Sequence, residues 1–320
     1  MREIIDYAGL FPPARLPLDT AIRNYATYRT GTAPWMLSRF IIPASMLHEL
    51  APYEEELFNQ QPPFNFSVLS KAAKTVAHYN EALETALEQC STFCHEHAGL
   101  VTTEMLEVKL PKEAASSHDV DLLKQVMDET ASKMSRAQEI PATIFYEGGL
   151  DESWKKNIEA ILEAISLHNH TNTFNDKTYK FAAFKLRCGG VEASLFPSTE
   201  QVAFVLNKTR EYNVALKCTA GLHHPVRHYA EEVKTKMHGF FNVFGAGLLG
   251  YAHDLSHTET EEILKEEDAE QFVFTDNAFR WKDYKIAAQD IRELRETALL
   301  SYGSCSFDDP REDLRKLNLL

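Results

Sequence analysis

The chain has 320 residues, 44% of them apolar and 25% charged, with a formal net charge of −14. This is ordinary globular composition, long enough for one large core, and it gives no reason to expect extended disorder. The negative charge, with no dense Lys/Arg cluster to reverse it locally, argues against nucleic acid or an anionic membrane surface as a partner.

No apolar run reaches the roughly 20 residues needed to cross a bilayer. The opening MREIIDYAGLFPPA lacks a basic segment followed by a long apolar one. Five scattered cysteines, Cys90, Cys94, Cys188, Cys218 and Cys305, do not read as a secreted disulfide framework. A cytoplasmic location with reduced thiols is expected.

In chain order, eight short runs rich in β-branched and aromatic residues alternate with stretches of amphipathic helical spacing. The runs are REIIDYAG from Arg2, WMLSRFIIP from Trp35, FNFSVLS from Phe64, EMLEVKLP from Glu104, ATIFYEGG from Ala142, FAAFKLRCGG from Phe181, NVALKCTAG from Asn213 and QFVFTDNAF from Gln271. The clearest helical stretches are LDTAIRNYATYR from Leu18, AHYNEALETALEQCSTFC from Ala77, VDLLKQVMDETASKM from Val120 and DESWKKNIEAILEAISL from Asp151. Strict β-then-α alternation predicts an α/β fold, a (β/α)8 TIM-like barrel forming a single domain over residues 1–320. A doubly wound open sheet is the alternative. The longest irregular stretch runs from Pro225 to Glu270.

Alternate side chains of a barrel strand face the helices or the barrel axis. Leu106, Val108 and Leu110 suit the helix side, which turns Glu107 and Lys109 inward. Ala182, Phe184 and Leu186 do the same for Lys185 and Arg187. Val214, Leu216 and Cys218 face out, so Ala215, Lys217 and Thr219 face in. Barrel enzymes carry their chemistry at the carboxyl ends of the strands, and Lys185 and Lys217 are expected to meet there. A buried lysine must pair with a carboxylate such as Glu107 or Glu147, or give up its proton. In the second case it is a nucleophile able to form a Schiff base with a carbonyl carbon.

KLRCGG and, one strand later, KCTAGL resemble the paired lysine strands of class I deoxyribose-phosphate aldolases. That resemblance implies Lys185 as the imine-forming residue and Lys217 as its modulator. This chain has Arg187 and Cys188 where that family prefers small hydroxylated residues. DYAGLFPPA, TAGLHHPVR and SYGSCSFDDP are similar to segments of a group of bacterial proteins of this length.

Arg187 beside Gly189 and Gly190 is a candidate anion site, since a guanidinium next to open backbone amides can hold phosphate or carboxylate. A plain strand-end turn explains the same glycines. His223 and His224 follow the seventh strand at the mouth, with His228 beyond them, and suit proton transfer near neutral pH. Neighbours in an extended segment point oppositely, so one of the pair is expected to face the site, His223 as catalyst or His224 as a substrate contact. Lys109, Thr219 and Arg39 are further candidate contacts. So are Asp276 and Asn277 at the end of the eighth run, and Asp6 at the end of the first, although Asp6 and Asp276 also read as turn caps.

Of the histidine pairs, His95/His97, His168/His170 and His253/His257 fall on helices or helix ends away from the mouth. CSTFCHEH from Cys90 lacks a second ligand pair at zinc spacing. GAGLLG from Gly245 matches a dinucleotide fingerprint but reads better as an apolar helix with small residues for close packing. No metal ligand and no cofactor is assigned.

The expected function is a lyase or aldolase acting on an oxygenated, anionic small molecule through a Schiff-base lysine. One alternative is a divalent-metal-assisted isomerase, epimerase or hydrolase, with a mouth site drawn from His223 or His224, Glu107, Glu147 and Asp276. Another is a non-catalytic binding protein for an anionic metabolite. A homo-oligomer is compatible with the sequence.

Overall fold

A computed structural model describes residues 2–137, 143–151, 153–171, 173, 174, 177, 178 and 181–320, with backbone alone at 173, 174, 177, 178 and 181. Ala142, which opens the fifth predicted run, and Glu152 in the fourth helical stretch lie outside the described residues.

Eight parallel strands close into a barrel: β1 Ile5–Tyr7, β2 Leu37–Pro43, β3 Phe64–Leu69, β4 Val101–Lys109, β5 Thr143–Glu147, β6 Phe181–Arg187, β7 Leu216–Thr219 and β8 Leu299–Ser304. Closure runs through the pairing of β8 with both β1 and β7. The predicted (β/α)8 fold is therefore present, but its eighth strand is LLSYGS and not QFVFTDNAF. Residues 272–274, 278–281 and 284–287 instead form a separate antiparallel three-stranded sheet. The two segments compete poorly in sequence, because Ser301, Gly303 and Ser304 dilute the β signal of the true strand while QFVF carries a stronger one. Asp276 and Asn277 consequently sit exposed in a turn of that small sheet, away from any barrel strand end.

Helices α1 Leu18–Thr30, α2 Val76–Glu96, α3 Val120–Arg136 and α4 Trp154–Thr171 match the predicted stretches. Beyond them lie α5 Thr199–Glu211, α6 Phe240–His253, α7 His257–Lys265, α8 Ala288–Thr297 and α9 Asp308–Lys316. Local chemistry explains several starts. Thr75 and Asp119 accept from backbone amides three residues on, and Ser198 and Ser256 form reciprocal capping boxes with Gln201 and Glu259. The GAGLLG segment lies inside α6, where Phe240 through Gly250 are all buried. A Cβ on Gly247 would stand 2.7 Å from Leu299, so the small residue serves close packing.

The chain divides into two compact units, one of Met1–Leu16, Gly31–Leu37 and Leu186–Leu320, the other of Pro17–Thr30 and Ser38–Lys185. The second unit is held by aromatic packing on the outer face of its strands. Phe40, Phe58, Phe64, Phe66 and Phe93 interlock with ring centroids 5.0–6.4 Å apart. Fully burying each such ring contributes roughly 1.5–3 kcal/mol. In the first unit Phe240 stacks on Tyr302, and Phe241 packs against Phe272 and Phe274. No described helix is long and apolar enough to cross a membrane.

Candidate active site

Within the second unit, β4, β5 and β6 bring together three of the predicted site residues. The Lys185 ammonium lies 2.7 Å from Glu107 Oε2 and 3.0 Å from Glu147 Oε2. Glu107 and Lys185 are on strands separated by β5, so their contact crosses one strand and requires both side chains on the same face. Tyr146, between them in sequence parity, points to the opposite face. There it lies with Tyr79 of α2 and Thr130 of α3, whose hydroxyls are 3.0 Å apart. Ser67 on β3 donates to the other Glu107 oxygen at 2.6 Å. Lys185, Glu107 and Ser67 are buried, and Glu147 is nearly so.

Burial by itself would lower the Lys185 pKa, but the Glu107 and Glu147 carboxylates outweigh it and hold the ammonium above its ordinary range. At rest this lysine is therefore a cation clamped by two acids. Lys109 shares a register row with Glu147 and Lys185 but is exposed at the strand end. Arg39 lies on β2. It pairs at 2.7 Å with Glu104, three residues toward the amino end of β4 from Glu107.

The first unit holds Lys217 in a different setting. Its ammonium is 2.7 Å from Asp6 on β1, and the Ser301 hydroxyl between them on β8 donates to the same Asp6 oxygen at 2.6 Å. Lys217 and Asp6 are both 0% exposed. The Asp6 carboxylate reaches it from the first strand, across the ring closure.

The same unit contains a cavity of about 560 Å³ at the carboxyl ends of its strands. His223, His224, His228, Cys305 and Asp309 line it, as does Gly190. Both His223 and His224 face it, contrary to the extended-segment expectation. Ala220 and Gly221 turn the backbone into the left-handed region, with φ of 58° and 70°, and break the alternation just before the pair. Gly221 also passes against Gly189: a Cβ on Gly189 would stand 2.8 Å from the Gly221 Cα. This close backbone approach accounts for both the CGG and TAG segments. Cys188 N–H donates to the Thr219 carbonyl at 2.8 Å, tying the two strand ends together. Arg187 is exposed and is not among the residues lining the cavity.

Three residues that contact these histidines carried no local sequence signal. Ser304 Oγ lies 3.1 Å from His223 Nδ1, Asp313 Oδ2 lies 2.6 Å from His224 Nδ1, and Cys305 Sγ lies 3.9 Å from either ring nitrogen of His223. These partners are more than 80 positions away in the chain. Burial, with a smaller contribution from His224, depresses the His223 pKa to about 4. Burial likewise raises the Cys305 thiol. Asp313 is held below the usual carboxylate range because its bonds to His224 and Lys316 outweigh its burial.

A second, larger cleft of about 810 Å³ lies beside the ends of β2 and β3, with Lys71, Lys74 and His78 on its wall. Among the described residues no three His, Cys, Asp or Glu side chains converge to hold a metal ion. Comparison with known proteins found no matching family model and no matching curated protein.

Proposed function

We propose that this chain is a small-molecule enzyme of the lyase type, in which Lys185 forms an imine with an oxygenated carbonyl compound while Glu107 and Glu147 move the protons. The observation that carries this reading is one amine held between two carboxylates in the interior of a parallel barrel. The likeness of KLRCGG to the imine-forming strand of class I deoxyribose-phosphate aldolases supports the same assignment. Lys217 has no reacting role in this reading, because its ammonium is fully buried against Asp6.

The chemistry begins with transfer of one ammonium proton to Glu107, which the raised pKa opposes until substrate displaces one of the carboxylates. The neutral amine attacks the carbonyl carbon, and the carboxyl returns its proton to the developing alkoxide. A second proton then passes from nitrogen through the carboxylate to the hydroxyl, which leaves as water. One ammonium and one carbonyl thus give one iminium and one water, with both carboxylates restored. The iminium next accepts the electron pair of an adjacent carbon–carbon bond, while the β-hydroxyl gives its proton to Glu147 and an aldehyde departs.

Incubation of the whole protein with a panel of aldehydes and hydroxyketones under cyanoborohydride, followed by peptide mass spectrometry, tests this directly. A reduced adduct on Lys185 that disappears in Lys185→Arg is expected. Modification confined to exposed lysines such as Lys282 with every probe would overturn the reading.

A further inference from the structure

The cavity of the first unit has an uncommon hydrogen-bonding polarity, and it can be worked out ring by ring. His224 Nδ1 faces the Asp313 carboxylate, an acceptor, so that nitrogen carries the hydrogen. His228 Nδ1 lies 3.1 Å from the Val226 carbonyl, again an acceptor. For His223 the partner is the Ser304 hydroxyl, whose single hydrogen is already given to the Ser306 carbonyl at 2.6 Å. Ser304 Oγ must therefore accept, and His223 Nδ1 must donate.

In the neutral imidazole form each of the three rings therefore carries its lone pair on Nε2, and all three line one cavity. His223 is 9% exposed, and among the described residues its Nε2 faces only the Cys305 sulfur, 3.9 Å away. The other polar lining groups are the Tyr229 hydroxyl and the carboxylates of Glu231, Glu232 and Asp309. Among the described lining residues there is no lysine or arginine.

A wall of lone pairs and negative charge repels an anion and leaves hydroxyl or ammonium hydrogens as the matching partners. We infer that this cavity is a binding site for a small polyhydroxylated compound without an anionic group, and that an amino substituent strengthens its binding. The inference is drawn from the cavity alone and does not depend on imine formation at Lys185.

Isothermal titration of the full chain at neutral pH with glucosamine, sorbitol and glucose 6-phosphate tests it. Glucosamine should bind tightest, sorbitol next, and the phosphate ester at least tenfold more weakly than sorbitol. His224→Phe, at a partly exposed position, should weaken glucosamine binding tenfold or more. The exposed double change Glu231→Lys/Glu232→Lys should reverse the preference between glucosamine and the phosphate ester. Tightest binding of the phosphate ester, binding of none of the three probes, or affinities untouched by both variants would overturn the inference. Stoichiometric binding of zinc ion that His224→Phe abolishes, with no binding of glucosamine, would overturn it as well.

Discussion

The Lys217 ammonium and the Asp6 carboxylate meet at 2.7 Å with neither side chain reached by solvent, across the intervening strand β8. Their strands are first and seventh in the barrel, so the pair exists only once the ring of strands is closed. Two charges taken out of water stabilise a fold weakly as a pair, but either one left alone is costly.

Lys217→Met should therefore destabilise the protein by about 3–5 kcal/mol, because the buried Asp6 carboxylate would lose the ammonium that faces it at 2.7 Å. The double variant Asp6→Leu/Lys217→Met should recover most of that loss. Urea titrations of the two single variants and the double variant close the cycle. A double variant no more stable than Lys217→Met would show that the pair does more than neutralise itself.

The Lys185 cluster makes a kinetic prediction. General acid–base groups contribute on the order of 10²–10⁴ in rate, so Glu107→Gln should slow borohydride trapping at Lys185 by about 10²-fold. Far-ultraviolet circular dichroism should stay unchanged, since the glutamine can still accept from Ser67. Trapping at the parental rate in both Glu107→Gln and Glu147→Gln would remove the carboxylates from the mechanism.

Acid should weaken the fold through two buried imidazoles. Burial lowers the pKa of His223 and of His238 to about 4. His238 is fixed as a neutral ring by the Pro197 carbonyl at 2.7 Å and the Arg227 guanidinium at 3.3 Å. The unfolded rings take up protons near pH 6.5 and the folded ones only near 4, so stability falls as pH drops through that window and levels off below it. The loss is on the order of 3 kcal/mol for each ring at most. Thermal unfolding at pH 7 and pH 4.5 measures it, and His238→Gln should reduce the difference between the two.

Gly221 offers a backbone test. Its φ of +70° is the left-handed region, and an added Cβ would sit 2.9 Å from the Cys188 carbonyl oxygen and from the Gly189 Cα. Gly221→Ala should cost about 1–3 kcal/mol. It should also weaken ligand binding in the neighbouring cavity, because His223 and His224 follow this turn directly. An alanine variant with unchanged unfolding midpoint would show that the loop relaxes freely.

Much of the barrel was legible in the chain itself, because the period of two in a strand and 3.6 in a helix is written in residue types. Leu106, Val108 and Leu110 against Glu107, and Ala182, Phe184 and Leu186 against Lys185, assign each side chain to a face without any knowledge of its neighbours. The caps Thr75, Asp119 and Ser198 mark helix starts in the same local way.

Periodicity carries no information about which strand lies next to which, and there the structure decided. LLSYGS does not stand out as the eighth strand because its serines and glycine match no strand signal, although β1 and β7 on either side complete its hydrogen bonding. Asp6 as the partner of Lys217, and Ser304, Cys305 and Asp313 around the two histidines, are brought together by ring closure over long sequence separations. Side-chain direction is a local property of the backbone, whereas partnership is set by register and closure, which only the folded chain possesses.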